Sequence, residues 1–501
     1  MTIKTNSATL ANEVHFLKNG QILTAADQRP GTTYPLFNDG PTIGSIQNTC
    51  ITVQAPSGNQ GIGLGGIAIG HSRIFVGNTV EANTPGGKGC VHMFDFDGNY
   101  KGRIDHPETG TGTSTQFGWN PVCCDGLLLI SSNDFKGDPN SEVTDDEVGR
   151  TYIYDQWGNY LHTLPLPPNL YGNLDAFGMA CAVGEGRIVV GRQRADAVTG
   201  TTYNDFTGNA TIYDYNGNII LNNVMLHNAF QYYDGSGNAI DRNTGINYDA
   251  PGYSDSFGGR TYGGHGQQAI GYGKIVIGAV DQNVWHHPDK TADRVSINGH
   301  AYIFDLNGNF VKGLYMPLGW EDSIPNANFG HDISIGSDRI LVMGNTADND
   351  SGNQIGRVFV YDGEGNYLFT LTGKYAPITG TNSPSVYARA CGIYGGIIGI
   401  FVKESANANP NNPTSADYRS LELYDINGNY IDRVLPEDMS GNIVTSAQGG
   451  DPGFEKFAMG YGVLVTATYS TTTAADNWIN IYKLPTTYDG LIEKASGRTQ
   501  N

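Results

Sequence analysis

Four stretches of this chain hold residue types that do chemistry. Trp285-His286-His287-Pro288-Asp289 sets two imidazoles side by side. Adjacent side chains on extended backbone point to opposite sides, so a metal ion would need further ligands from elsewhere. The expected use of Trp285, His286 and His287 is a surface or subunit contact. Residues 134–147 collect Asp138, Glu142, Asp145, Asp146 and Glu147. Carboxylates can gather calcium, and Asp138, Asp145, Asp146 and Glu147 are the candidate ligands. The run lacks the odd-position spacing of a dedicated calcium loop, so the expectation is a solvated acidic loop without bound metal. Residues 230–257 are rich in Tyr, Gly, Asn and Asp, with Tyr232, Tyr233 and Tyr253 among them. Tyrosine offers broad contact area at low entropic cost, while Ser and Asn adapt their hydrogen bonds. A sugar or protein partner docks there in one reading; an ordinary surface hairpin stands there in the other.

The fourth set is six aspartates, Asp95, Asp155, Asp214, Asp305, Asp362 and Asp425. Carboxylates in this number invite a general acid–base reading. Their setting assigns them otherwise, because each opens the same phrase: an aromatic residue, Asp, two variable residues, Gly, Asn. The phrase ends a strand at Asp, makes a type I turn and places Gly in the left-handed position of a three-residue hairpin with a bulge. Asp bonds its own turn backbone and Asn tolerates the next awkward position. No nucleophile elbow, zinc-protease helix motif, phosphate-binding loop or dinucleotide fingerprint occurs, so no catalytic residue and no cofactor is assigned.

These turns must be carried by a repeat. The glycines Gly98, Gly158, Gly217, Gly308, Gly365 and Gly428 stand 60, 59, 91, 57 and 63 residues apart. One interval therefore carries an insertion of about 30 residues. Ahead of each turn the residues alternate, as in Thr151-Tyr152-Ile153-Tyr154, which reads as a half-buried strand. After it comes another, such as Tyr367-Leu368-Phe369-Thr370-Leu371. Upstream lies a pair of apolar strands joined by a tight turn, as in Val183-Gly184-Glu185-Gly186-Arg187-Ile188-Val189-Val190-Gly191. Each unit thus holds four antiparallel strands. Units at about 61–104, 117–164, 177–223, 264–314, 329–371, 386–434 and 454–494 make seven, with residues 224–263 inserted and 495–501 as a tail. Modules this small do not stand alone, so the fold class is all-β, a seven-bladed β-propeller.

The same blocks resemble a known family. The block order, Phe-Gly, then a strand pair ending in Gly, then Gly-x-Val/Ala-x-Ile/Val-Tyr/Phe, is similar to the FG-GAP repeats of integrin-α-type propellers, with Phe-Gly literal at Phe117-Gly118, Phe177-Gly178 and Phe329-Gly330. The resemblance spans nearly the whole chain after residue 60. It implies calcium loops between the first two strands, but here short turns such as Gly184-Glu185-Gly186-Arg187 replace them. They offer too few oxygen atoms for six- to eight-fold coordination.

Charge and termini narrow the partners. With 29 basic and 49 acidic residues, a net of −20, the surface repels phosphate backbones, and sequence-specific nucleic-acid binding is not expected. Cys50, Cys90, Cys123, Cys124, Cys181 and Cys391 form no Cys-x-x-Cys pair, which fits synthesis in a reducing compartment. The opening Met1-Thr2-Ile3-Lys4 lacks a signal-peptide core, and no run reaches membrane-spanning length, so membrane insertion is not expected. Residues 1–60 precede the first unit, with a hairpin expected over 13–24. This arm either closes the ring with the last blade or docks on a neighbouring subunit; Leu491-Ile492-Glu493-Lys494 is the rival closing strand.

Turns between strands one and two, and three and four, are short, whereas the other connections are long. Long loops therefore share one face, and contacts should concentrate there. The expected function is a non-enzymatic interaction protein of a bacteriophage particle, in tail, collar or capsid surface. It would serve as an assembly hub or host-contact module whose partners are other virion proteins or a host glycan. The degenerate, Asn-Gly-rich style also resembles propeller proteins of marine phages. The alternatives are a bacterial surface adhesin or lectin-like propeller, located outside the cell, and a propeller lyase or glycosidase.

Overall fold

A continuous apolar run such as Ile188-Val189-Val190 can be satisfied only by burial on both sides of its sheet, and the architecture provides that. The computed structural model describes residues 46–54, 61–79, 89–107, 116–132, 149–167, 177–192, 208–224, 267–280, 299–317, 328–347, 354–372, 387–404, 418–441, 456–468 and 477–484, plus three short strand pairs. Seven four-stranded antiparallel sheets form. Blade one contains Gly66–Ile69, Ile74–Asn78, Cys90–Phe94 and Tyr100–Asp105; blade two Trp119–Cys124, Leu127–Ser132, Arg150–Asp155 and Tyr160–Thr163. Blade three contains Phe177–Gly184, Arg187–Arg192, Asn209–Asp214 and Ile219–Val224; blade four Gln268–Gly271, Lys274–Ala279, His300–Asp305 and Phe310–Leu314. Blade five contains Ile333–Gly336, Arg339–Ala347, Gln354–Asp362 and Tyr367–Leu371; blade six Tyr387–Tyr394, Ile397–Glu404, Tyr418–Asp425 and Tyr430–Val434.

Blade seven is built from both ends of the chain. Its first three strands are Lys456–Gly460, Val463–Thr468 and Trp478–Lys483, and its fourth is Ile51–Gln54, with Ile51 opposite Ile481. First strands of successive blades touch one another all the way round, blade seven meeting blade one, so the ring is closed. The amino-terminal segment is thereby the closing strand. A single 3-10 turn, Ile46–Thr49, precedes it. Within the arm Leu17–Lys18 pairs with Gln21–Ile22, and within the insertion Tyr232–Tyr233 pairs with Ala239–Ile240.

Seven hydrophobic clusters form, and each lies between two adjacent blades. Side chains of one strand alternate between two clusters: Ile188 and Val190 face blade two, Val189 faces blade four. The third strands, expected to be half-buried, are therefore buried on both sides. Thr151, Tyr152, Ile153 and Tyr154 are all sequestered, because a blade is sandwiched by its neighbours. Only the fourth strands keep one exposed side. At about 1.5–3 kcal/mol for each fully buried Ile, Leu or Phe, these clusters are the main cohesive term.

Glycine explains how close the blades come. Gly89 and Gly299 form isolated parallel bridges to Phe117 and Phe329 of the next blade. A Cβ on Gly89 would stand 2.2 Å from the Phe117 carbonyl oxygen, and one on Gly118 2.4 Å from that of Cys90. The Phe-Gly phrase is thus a blade joint: the ring fills the inter-blade core and the glycine lets two backbones touch.

Candidate interaction faces

Each Asp-x-x-Gly-Asn turn engages both oxygens of its carboxylate. Asp155 Oδ1 accepts the N–H groups of Trp157 and Asn159 at 2.8 and 2.9 Å, and Oδ2 accepts the Asn159 side-chain amide at 2.8 Å. The same three bonds recur at Asp95, Asp214, Asp305, Asp362 and Asp425. Asn does more than tolerate its position; it donates to the carboxylate it follows. Burial works to raise the carboxyls of Asp95, Asp155, Asp214, Asp305 and Asp362, but these donors outweigh it and hold them below the usual carboxylate range. Lys101, 2.7 Å from Asp95, adds to the effect there.

Every turn glycine also packs on the preceding blade. Gly158, at φ +87°, lies against Met93 and Ile104 of blade one; Gly308, at φ +84°, against Leu221 and Ile212 of blade three; Gly98 against Val53 of the closing strand. Two constraints, positive φ and the absence of a Cβ, meet at one residue.

On the same smooth face the first turns of the blades are stitched together. In six of them both central residues have positive φ, the geometry of type I′. The first central residue is Asp125, Glu185, Tyr272, Ser337, Gly395 or Tyr461. Asp125 accepts the Glu185 N–H at 2.8 Å, Glu185 accepts the Gly273 N–H at 2.7 Å, and Ser337 accepts the Gly396 N–H at 3.0 Å. Side chains thus latch turn to turn at three blade junctions, two to three, three to four and five to six. Glu185 spends a carboxylate oxygen on this latch. Tyr461 leans on His71 and Tyr394, with ring centroids 5.4 and 6.4 Å away, and packs against the blade two–three cluster.

The opposite, loop-rich ends of the blades hold buried polar residues. Arg192, 3% exposed, donates to Asn209 at 2.7 Å, and Ser131 and Thr151 share a 3.3 Å hydroxyl contact. These bonds tie the second strand to the third where the long connections depart. At the centre Lys456 donates to the Leu64 carbonyl and stands 5.1 Å over the Trp119 ring, joining blades seven, one and two. Asp332, fully buried, accepts the Cys391 N–H at 2.7 Å. All six cysteines are free, and burial pushes the Cys123 thiol up to about 12.

Trp285, His286, His287, Tyr253, Asp138, Asp145, Asp146 and Glu147 lie outside the described residues, as do the side chains of Tyr232 and Tyr233. Among the described residues no group of three or more His, Cys, Asp and Glu is placed to hold a metal ion, and no helix is long and apolar enough to cross a membrane. The sequence reading missed the rim latches, the Lys456–Trp119 clasp and an exposed Arg73–Trp157 pair. Only the last left a trace in the sequence, since Trp157 breaks the polar pattern of its repeat position.

Fold and faces together define a class, a closed seven-bladed propeller with one stitched face and one loop-bearing face. No protein-family model matches the chain, and no curated protein matches it.

Proposed function

We propose that this chain is a non-enzymatic structural protein of a bacteriophage particle, an assembly hub or host-contact module that works through its loop-rich face. The observation that carries the interaction reading is the contrast between faces. One is closed off by turns latched to one another. The other roots the long connections of blades two and three in buried polar bonds. A rigid ring with variable loops on one side is the arrangement that separates recognition from stability. The phage assignment rests on the sequence: the acidic, Asn-, Gly- and Tyr-rich composition and the Asn-Gly-rich style of the repeats. Each turn aspartate has both oxygens engaged in its own turn, which supports reading these carboxylates as structural.

The test is cross-linking mass spectrometry on purified particles. The expected result is fixed stoichiometry in the particle, with cross-links from residues 133–148, 193–207 and 405–417 to a neighbouring protein. Isolation only as a free monomer, with no trace in particles, sinks the virion reading. Cross-links confined to the latched face sink the assignment of the working face.

A further inference from the structure

A repeat protein supplies its own control, because each turn shows what a purely structural residue would be. In the Asp-x-x-Gly-Asn turns the second variable residue is exposed, and it is Asp97, Asn216, Asn307, Glu364 or Asn427 in five of the six. Blade two holds Trp157 there, and its indole is 50% exposed. The first variable residue ordinarily packs inward, as Phe96, Tyr215, Leu306 and Ile426 do; blade two has Gln156. Apolar-in and polar-out is inverted at this one turn.

Its partner is equally exceptional. In blades three and four the residue after the first turn reaches the next blade's hairpin turn. Arg187 donates to the Leu306 carbonyl at 2.7 Å and reaches Asn307; Lys274 pairs with Glu364 at 3.0 Å. Arg73 holds the same place in blade one, and its guanidinium lies 5.2 Å from the centre of the Trp157 ring. One of its nitrogens donates to the neighbouring Ser72 carbonyl, and among the described residues it has no carboxylate partner. The turn before it, His71-Ser72, also lacks the positive φ pair of the other six. Two departures from the repeat, in adjacent blades, meet at one spot on the latched face.

We infer that Arg73 and Trp157 form a subsite for an acidic saccharide, a pyranose ring carrying a carboxylate. The half-exposed indole offers an apolar surface of the kind a sugar's C–H face requires. The guanidinium, always charged and planar, supplies parallel donors that match a carboxylate. Asp155 beside it is engaged by its own turn and does not compete. The chain's net charge of −20 does not forbid an anion here. At physiological salt, charges beyond about 8 Å are largely screened, so the nearest cation decides. The subsite lies opposite the loop-rich face and does not rest on the function proposed above.

The experiment uses the full chain labelled with 5-fluorotryptophan and a glucuronate-containing tetrasaccharide, with its carboxyl-reduced form as control. Trp157→Asn identifies the Trp157 signal and should fold normally, since Asn fills this position in three other turns. The expected result is a shift of the Trp157 signal at millimolar acidic sugar, absent in Trp157→Asn, with affinity falling about tenfold in Arg73→Leu. Leu127 occupies the position of Arg73 in blade two, so that variant keeps a residue the repeat accepts. An unmoved Trp157 signal overturns the proposal. So does an equal response to the reduced sugar, or binding unchanged in both variants. Protection of Trp157 by a neighbouring virion protein, with no response to sugar, overturns it in favour of a protein contact.

Discussion

Single residues in this ring carry two duties, and the duties can be separated by substitution. Gly126 has φ +81° but open space around its missing Cβ; Gly308 has φ +84° and Leu221 Cδ2 would lie 2.4 Å from a Cβ. Gly126→Ala should therefore cost about 1 kcal/mol for the left-handed backbone alone. Gly308→Ala should cost about 2–4 kcal/mol, because inter-blade packing must also give way. Chemical denaturation of the two variants measures the difference, and equal losses would show that the turn glycines serve conformation only. The turn aspartates make a second prediction. Their folded carboxyls sit below the unfolded value of about 3.9. The folded state therefore binds the proton more weakly. The stabilisation is complete above that value and fades as the pH falls through the lowered native ones. Melting temperature should drop as the pH is taken from about 5 to 2, and Asp155→Asn should flatten part of that drop while losing about 1–3 kcal/mol at neutral pH. The turns were readable from sequence because every bond in them spans at most four residues. The packing duty of Gly308 was not, since Leu221 and Ile212 reach it only through the fold.

At the scale of elements, the closing strand decides integrity. Ile46 is buried between blades six and seven, its N–H donates to Asp432 at 2.6 Å, and Gln47 bridges the N–H and carbonyl of Leu435. Asn480 donates to Thr52 at 2.9 Å and to the Glu437 carbonyl at 3.0 Å. Removing residues 1–45 keeps the closing strand and should leave the ring closed and monomeric. Removing residues 1–54 should expose the edge of Trp478–Lys483 and produce dimers or aggregates, as unpaired edges do. Light scattering of the two truncations distinguishes these outcomes, and a monomeric, equally stable 1–54 deletion would contradict the closing role. Sequence left this point open for a physical reason. Ile51-Thr52-Val53-Gln54 and Leu491-Ile492-Glu493-Lys494 are both short, with two apolar and two polar residues each, and only contacts more than four hundred residues apart choose between them.

For the whole molecule, the seven cores lie between blades and none within one, so no blade can keep its interior when a neighbour unfolds. An open array frays from its ends, but a closed ring has none. Denaturation should then show one transition, coincident by tryptophan fluorescence and circular dichroism. Two resolved transitions would mean that some blades stand independently. The blade count was legible because the repeat announces itself. The sandwiching of each blade was not, since alternation in Thr151-Tyr152-Ile153-Tyr154 reads the same for one buried face as for two. The union of Thr49 with Lys483, 434 residues away, sets a timetable as well as a shape. During synthesis the closing strand waits without a mate until more than four hundred further residues have been made, so closure of the disc comes after its other blades exist. Whatever shields that waiting segment governs the yield of intact rings.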